Sequence, residues 1–338
     1  MKNVLILFCL FGIVLSSCST KDNGYRKESG ATMGTTYVIT AECNLDIDQV
    51  DSILIDFSKM FSTYIETSFI SKLNYCSDTN TYFELGPKYK HFYSLFPKLE
   101  KLHQLSYGAF NPYAAVLFDA WGFSEKGEVI IDDLSMEELL NSSKMNGFER
   151  IGNKIRKKNP NAKLNLNAVA KGFGVDIIAS YLDSKGCQNY LIEIGGELVA
   201  KGVNPDKKPW KVGVRKPKKS DGTDVAIAYV TLDNKAMATS GNYENNKKYK
   251  GSIIGHTIDP RTGYPASSSV LSSTVFASDC LTADALATAC AVLGEGEAIK
   301  LIEETPEVDC FLVYLDNKTG ETRTYSSLGI RNDIEVVK

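Results

Sequence analysis

Two side chains four residues apart, Asp284 and Thr288, lie in the run C-L-T-A-D-A-L-A-T-A-C-A-V-L-G that ends at Gly294. Leu281, Ala285, Leu286, Ala289, Val292 and Leu293 recur there at three-to-four spacing, so the run predicts a helix with both oxygens on one face. A carboxylate and a hydroxyl one turn apart suit a hard cation such as Mg²⁺, which takes few protein ligands and keeps positions open for phosphate. Just upstream, Asp259-Pro260-Arg261-Thr262-Gly263 is a rigid turn. Pro fixes φ there, Gly supplies positive φ, and Asp bonds its own backbone. His256, one of three histidines, precedes that turn. A turn presenting His, Asp and Arg beside an acidic helix is what a phosphate-ester site needs. Read singly, the same residues have plainer uses: Asp and Thr as hydrogen-bond partners of a loop, His256 as a turn residue that bonds backbone.

Three further stretches join this chemistry. Leu164-Asn165-Leu166-Asn167-Ala168-Val169-Ala170-Lys171-Gly172 opens a helix expected to run to about Lys185, and its first N–H groups, with Lys171 beside them, suit an anion. An apolar strand, Tyr190–Ile194, ends in Gly195-Gly196-Glu197, where adjacent glycines allow close approach of a ligand or backbone. Ala238-Thr239-Ser240-Gly241-Asn242-Tyr243 is another small-residue turn after a strand. Each glycine loop alone reads as structure.

The elements that must hold these groups follow the usual periods. Gly30-Ala31-Thr32-Met33-Gly34-Thr35-Thr36-Tyr37 leads into an alternating strand through Thr40, and Ile47, Val50, Ile53, Leu54, Phe57 and Phe61 form a helical stripe. A longer helix is expected over residues 87–107, with Phe92, Leu95, Phe96, Leu99 and Leu102 on one face, and Pro97 should kink or split it. His91 and His103, beside that stripe, read as structural or solvent-facing. The Lys- and Pro-rich residues 207–219 read as a solvated loop edge. No internal repeat or low-complexity linker interrupts the chain.

Residues 1–17 read as a signal peptide rather than fold: Lys2, then an apolar run over residues 4–15 too short to stay in a bilayer as a span. The run ends in Leu15-Ser16-Ser17-Cys18, which resembles the lipobox of bacterial lipoproteins. Cleavage before Cys18 would leave a doubly anchored N-terminal cysteine on a membrane, followed by a polar tether over residues 18–29. The expected location is therefore outside the cytoplasm, on the periplasmic side of the inner membrane or at the outer membrane. A formal net charge of −3, one unit more negative once Lys2 is removed, argues against a nucleic-acid partner. Cys43, Cys76, Cys187, Cys280, Cys290 and Cys310 show no C-x-x-C spacing, so neither a zinc site nor a dense disulfide framework is indicated. An occasional disulfide fits the expected compartment, with no pairing deducible.

In this order M-G-T-T-Y, L-N-A-V-A-K-G, I-G-G-E-L, A-T-S-G-N-Y, H-T-I-D-P-R-T-G and A-D-A-L-A-T resemble the FAD:protein FMN transferase family, often called ApbE, over about residues 30–315. The resemblance implies one transferase domain over residues 30–338. Its fold would be α+β, with mixed, largely antiparallel sheets flanked by helices, related to the T-fold, and an FAD cleft between two halves. It also implies a Mg²⁺-dependent cleavage of FAD in which FMN passes to a threonine or serine hydroxyl and AMP leaves. Carried over residue by residue, Asp284 and Thr288 match the metal ligands, with the carbonyl of Ala168. At Ala287, an occasional Asp ligand in relatives, only a carbonyl is on offer. Met33, Tyr64, Ala109, Phe110, Asn111, Asn165, Lys171 and Ile258 match positions that hold FAD. His256 matches the histidine that takes the acceptor hydroxyl's proton, a task suited to imidazole.

Two departures stand out: relatives often carry Asp where this chain has Asn111 and Asn165. The implied partner is an acceptor protein with a D-x-x-[ST]-G-A-[ST]-like motif, of the kind carried by a membrane redox subunit. Ser29-Gly30-Ala31-Thr32 resembles that core, but Arg26 stands where its acidic residue should be. Two alternatives keep the same site: FAD hydrolysis to FMN and AMP, and a non-catalytic FAD-binding lipoprotein.

Overall fold

A computed structural model describes residues 24–86, 90–123, 127, 129–215, 225–241 and 246–337. The signal peptide, Cys18 and the first part of the tether lie outside the described residues, as do Asn242 and Tyr243.

The chain is built on one eight-stranded sheet. Its order is Arg26–Thr32, Thr35–Ala41, Tyr190–Ile194, Glu197–Lys201, Ala236–Gly241, Val270–Ala277, Asp309–Leu315, Thr322–Ser326. Every neighbouring pair is antiparallel, so "largely antiparallel" holds, and the only parallel pairing among the described residues is an isolated bridge between Ala114 and Lys163. Side chains alternate between two faces. Ala238, Val275, Ala277, Cys310 and Leu312 join the core under the helices, while Met237, Phe276, Phe311 and Val313 pack on the opposite face. There they meet Trp210, Val214, Val230 and Leu232 of a small sheet made by Trp210–Arg215, Ala226–Leu232 and Ile334–Val336. The result is three layers: helices, large sheet, small sheet.

The Cys280–Leu293 helix is the centre of the helical layer. It is apolar almost all round, with eleven buried residues, as a helix must be when every side meets protein. Its alanines let the sheet and the Ala170–Ser184 helix approach closely. At the crossing, a Cβ on Gly172 would lie 2.4 Å from the Cys280 carbonyl oxygen and 2.8 Å from Asp284 Cβ. Asp279 caps the helix by accepting the N–H of Thr282 at 2.9 Å. Asp176, from the neighbouring helix, accepts the N–H groups of Cys280 and Leu281 at 2.8 and 2.9 Å.

Several expectations are met closely: the Ile47–Phe61 helix buries Val50, Leu54, Phe57 and Phe61, each worth about 1.5–3 kcal/mol of burial. Others are corrected. Residues 26–29, expected in the tether, pair in register with residues 38–41 as the first half of the edge strand. That strand also holds Ser29 to Thr32, the acceptor-like core. The Lys90–Leu105 helix runs unbroken through Pro97. Leu95, Phe96, Leu99 and Leu102 bury on both sides of the proline and hold the helix together across the missing N–H. Cys43 and Cys187 form a disulfide across a sequence separation of 144, with Cα atoms 5.6 Å apart.

Candidate active site

A cavity of about 580 Å³ opens where the Cys280–Leu293 helix, the start of the Ala170–Ser184 helix and the residues 255–263 segment converge. Asp284 and Thr288 both line it, from one face of their helix. Asp284 is 4% exposed; its Oδ2 accepts the N–H of Gly172 at 3.0 Å, which leaves the other oxygen for a ligand. Burial, and then the nearby Glu197, push its carboxyl well above the usual range. Thr288 Oγ1 lies 3.2 Å from Ser240 Oγ, a contact that aims the hydroxyl. Ala168 lines the same cavity. A buried carboxylate needing a counter-charge, a hydroxyl and a carbonyl make an all-oxygen donor set, which fits a hard divalent cation. Ala287 does not join them. It is fully buried and absent from the cavity lining, because a position three residues past Asp284 in mid-helix turns its carbonyl toward the following turn.

Lys171 sits at the first turn of its helix, which lacks a side-chain cap. Its Nζ lies 2.5 Å from Glu197 Oε2. Burial works against the ammonium, yet Glu197 and Asp284 together hold its pKa above the ordinary lysine value. The Glu197 carboxyl is raised by its own burial despite that partner.

His256 lines the cavity with its Nδ1 buried and without a hydrogen-bond partner among the described residues. The turn behind it is clamped as expected. Asp259 Oδ1 accepts the N–H of Arg261 at 2.9 Å, and its Oδ2 accepts from the guanidinium at 2.8 Å. The Gly263 N–H donates to the Asp259 carbonyl at 2.8 Å, and Trp121 Nε1 donates to the Gly263 carbonyl at 2.8 Å. Gly263 has φ +83°, and a Cβ there would strike the Met136 sulfur. His103, expected to be structural or solvent-facing, holds the Phe110 carbonyl with Nδ1 at 2.8 Å.

The remaining positions assigned to FAD fall into place unevenly. Tyr64, Ala109, Phe110, Asn111, Asn165 and Ile258 line the cavity. Met33 does not. It lines an adjoining hollow of about 620 Å³ whose walls include Phe57, Tyr64 and Lys171. Asn111 is committed to the fold: Oδ1 accepts the Tyr113 N–H at 2.9 Å and Nδ2 donates to the Ser143 carbonyl at 3.0 Å. An Asp there would set a carboxylate against that carbonyl. Asn165 Oδ1 accepts the Asn167 N–H at 2.9 Å, a turn that Asp would make equally well.

Among the cavity residues to which sequence reading gave no site role are Glu197, Ser240 and Asn167. Glu197 and Ser240 sit in small-residue runs that read as turns. The signal available for Glu197 was a carboxylate opening an otherwise apolar strand, E-L-V-A-K.

The family model described as the ApbE family matches residues 33–312. The FAD:protein FMN transferase of Haemophilus influenzae is 32% identical over 327 residues, covering 92% of this chain and 93% of that protein. The Vibrio cholerae protein of the same name is 33% identical, covering 81% and 83%. Among solved structures, the flavin transferase ApbE from Vibrio cholerae superimposes with a TM-score of 0.77 at 29% identity, covering 91% of this chain and 99% of that one. The apo flavinyl transferase ApbE of Pseudomonas stutzeri gives 0.77 at 27% identity, covering 90% and 95%. With a family model matched over residues 33–312 and relatives above 30% identical over most of its length, this chain belongs to the ApbE family.

Proposed function

We propose that the protein transfers FMN from FAD to a hydroxyl group of a target protein. The observation that carries this is one cavity bringing together Asp284, Thr288, Lys171 and His256, four chemically distinct groups from three separate segments. In the step, the acceptor hydroxyl oxygen bonds to the phosphorus of the FMN half. The bond from that phosphorus to the bridging oxygen breaks, and AMP leaves with the bonding pair. His256, in the cavity wall, takes the hydroxyl proton on its imidazole, since a neutral hydroxyl is a poor nucleophile. Lys171, fixed by Glu197, faces the phosphates and offsets charge that spreads over their oxygens. Asp284, Thr288 and the Ala168 carbonyl would hold Mg²⁺, which when bound supplies Lewis-acid polarisation of the phosphoryl oxygens.

The acceptor we expect carries a D-x-x-[ST]-G-A-[ST]-like segment and belongs to a membrane redox protein. The protein itself we place outside the cytoplasm, anchored by lipid on Cys18. The disulfide between Cys43 and Cys187 supports an oxidising compartment. Incorporation of labelled fatty acid into the wild type but not Cys18→Ala tests the anchor. For the reaction, the protein is mixed with FAD, Mg²⁺ and an acceptor bearing D-x-x-T-G-A-T, and intact masses are recorded. The acceptor gains one FMN, and Asp284→Ala removes the gain. Free FMN released equally fast without acceptor would instead identify a hydrolase.

A further inference from the structure

Lys171 stands between two carboxylates and is committed to one. Its Nζ is 2.5 Å from Glu197, whereas Asp284 forms no ion pair among the described residues and is met only by the Gly172 N–H. Glu197 is 2% exposed. The backbone sets it there: Gly195 and Gly196, at φ 59° and 106°, turn the chain so that the next strand begins beneath the lysine. A Cβ on Gly195 would lie 3.2 Å from Lys171 Cδ. Burying an ion pair seldom stabilises a fold relative to a neutral pair of similar shape, so folding alone gives no reason for a carboxylate at this place.

We propose that Glu197 is a positioning residue that makes the cleft demand a divalent cation: it keeps Lys171 as its own counter-ion and leaves Asp284 without an ion-pair partner, so that a bound cation takes that place. This rests on Asp284 and Thr288 holding the cation in the transferase reading. With all three groups ionised the cluster carries one negative charge in excess. Glu197→Gln, close in shape, brings it to zero and frees Lys171 to turn to Asp284. The double variant Lys171→Gln/Glu197→Gln restores the single excess charge.

The test is calorimetric titration of Mg²⁺, and separately of FAD without metal, into the folded protein, with no acceptor and no turnover. Glu197→Gln is expected to bind Mg²⁺ at least ten-fold more weakly and metal-free FAD several-fold more tightly. The double variant should recover Mg²⁺ affinity to within about three-fold of wild type while losing FAD affinity, on the charge argument above. Should Glu197→Gln not fold, the double variant still decides: Mg²⁺ binding ten-fold weaker than wild type overturns the proposal. So would equal Mg²⁺ affinity in wild type and Glu197→Gln, or both ligands weakening together as a loosened fold would give. Opposed shifts in a protein that nevertheless transfers no FMN would uphold the role of Glu197 and refute the transferase.

Discussion

At the scale of single residues, the cleft separates groups that do chemistry from groups that hold them. His256 belongs to the first kind. It lines the cavity, while the turn behind it is fixed by Asp259, Arg261 and Trp121. His256→Ala should therefore leave the fold and FAD affinity within a few-fold of wild type and lower the rate of acceptor flavinylation by about 10²–10⁴, the usual contribution of a positioned base. Single-turnover mass spectrometry with bound FAD reads this directly, and a parallel loss of FAD binding would move His256 to the holding group. That Asp284 and Thr288 share one face was legible from spacing, because four residues on a helix is about one turn. Glu197 and Ser240 were not: one side chain in a glycine turn gives no period, and its partner lies far away in sequence. Asn111 shows the opposite limit. It lines the cavity, yet only the structure shows that its amide is held by the Ser143 carbonyl and the Tyr113 N–H.

The elements explain why those residues meet. The Ala170–Ser184 and Cys280–Leu293 helices cross with a glycine at the contact, so Lys171 and Asp284 face one cavity. Gly172→Ala would force a methyl into the Cys280 carbonyl and Asp284 Cβ. We expect it to destabilise the protein by about 1–3 kcal/mol in denaturant unfolding and to weaken divalent-cation binding. A variant of wild-type stability would show that the crossing has slack. A second link between the two helices titrates. Burial, then Asp279, raise the Asp176 carboxyl to about 7, against the two N–H bonds it accepts and against Lys98. The folded state then holds this proton more tightly than the unfolded chain, whose value is 3.8. The stabilisation is complete below about pH 4 and is lost as pH rises toward 7, on the order of 4 kcal/mol at most. In unfolding measured from pH 4 to 7.5, Asp176→Asn should flatten this component at the cost of one hydrogen bond, about 1 kcal/mol. An unchanged slope would assign the pH dependence elsewhere. Helices and strands of this kind were readable from periodicity; the crossing was not, since glycine signals freedom without naming what comes close.

For the whole molecule, the antiparallel sheet sits between two cores, and a disulfide staples the ends of its second and third strands. Cys43 follows the strand Thr35–Ala41, while Cys187 follows the Ala170–Ser184 helix and is 1% exposed in the core beside Val175, Ile178 and Leu182. The staple encloses most of the helical layer, including Tyr64, Asn111 and Lys171, but not His256 or Asp284. A crosslink over a loop of this length restricts the unfolded chain more than the folded one, so losing it should cost about 2–5 kcal/mol. The prediction is that Cys43→Ala/Cys187→Ala, or reduction of the wild type, lowers the unfolding midpoint. At temperatures well below that midpoint, FAD affinity and flavinylation rate should stay unchanged, because neither cysteine touches the cleft. The comparison also bears on where the protein works. Wild type recovered from an oxidising compartment should match the fully oxidised protein in thermal stability, and wild type retained in a reducing one should match the double variant. If the midpoint is the same with and without the disulfide, the packing around Cys187 already orders these strand ends and the bond adds nothing to them.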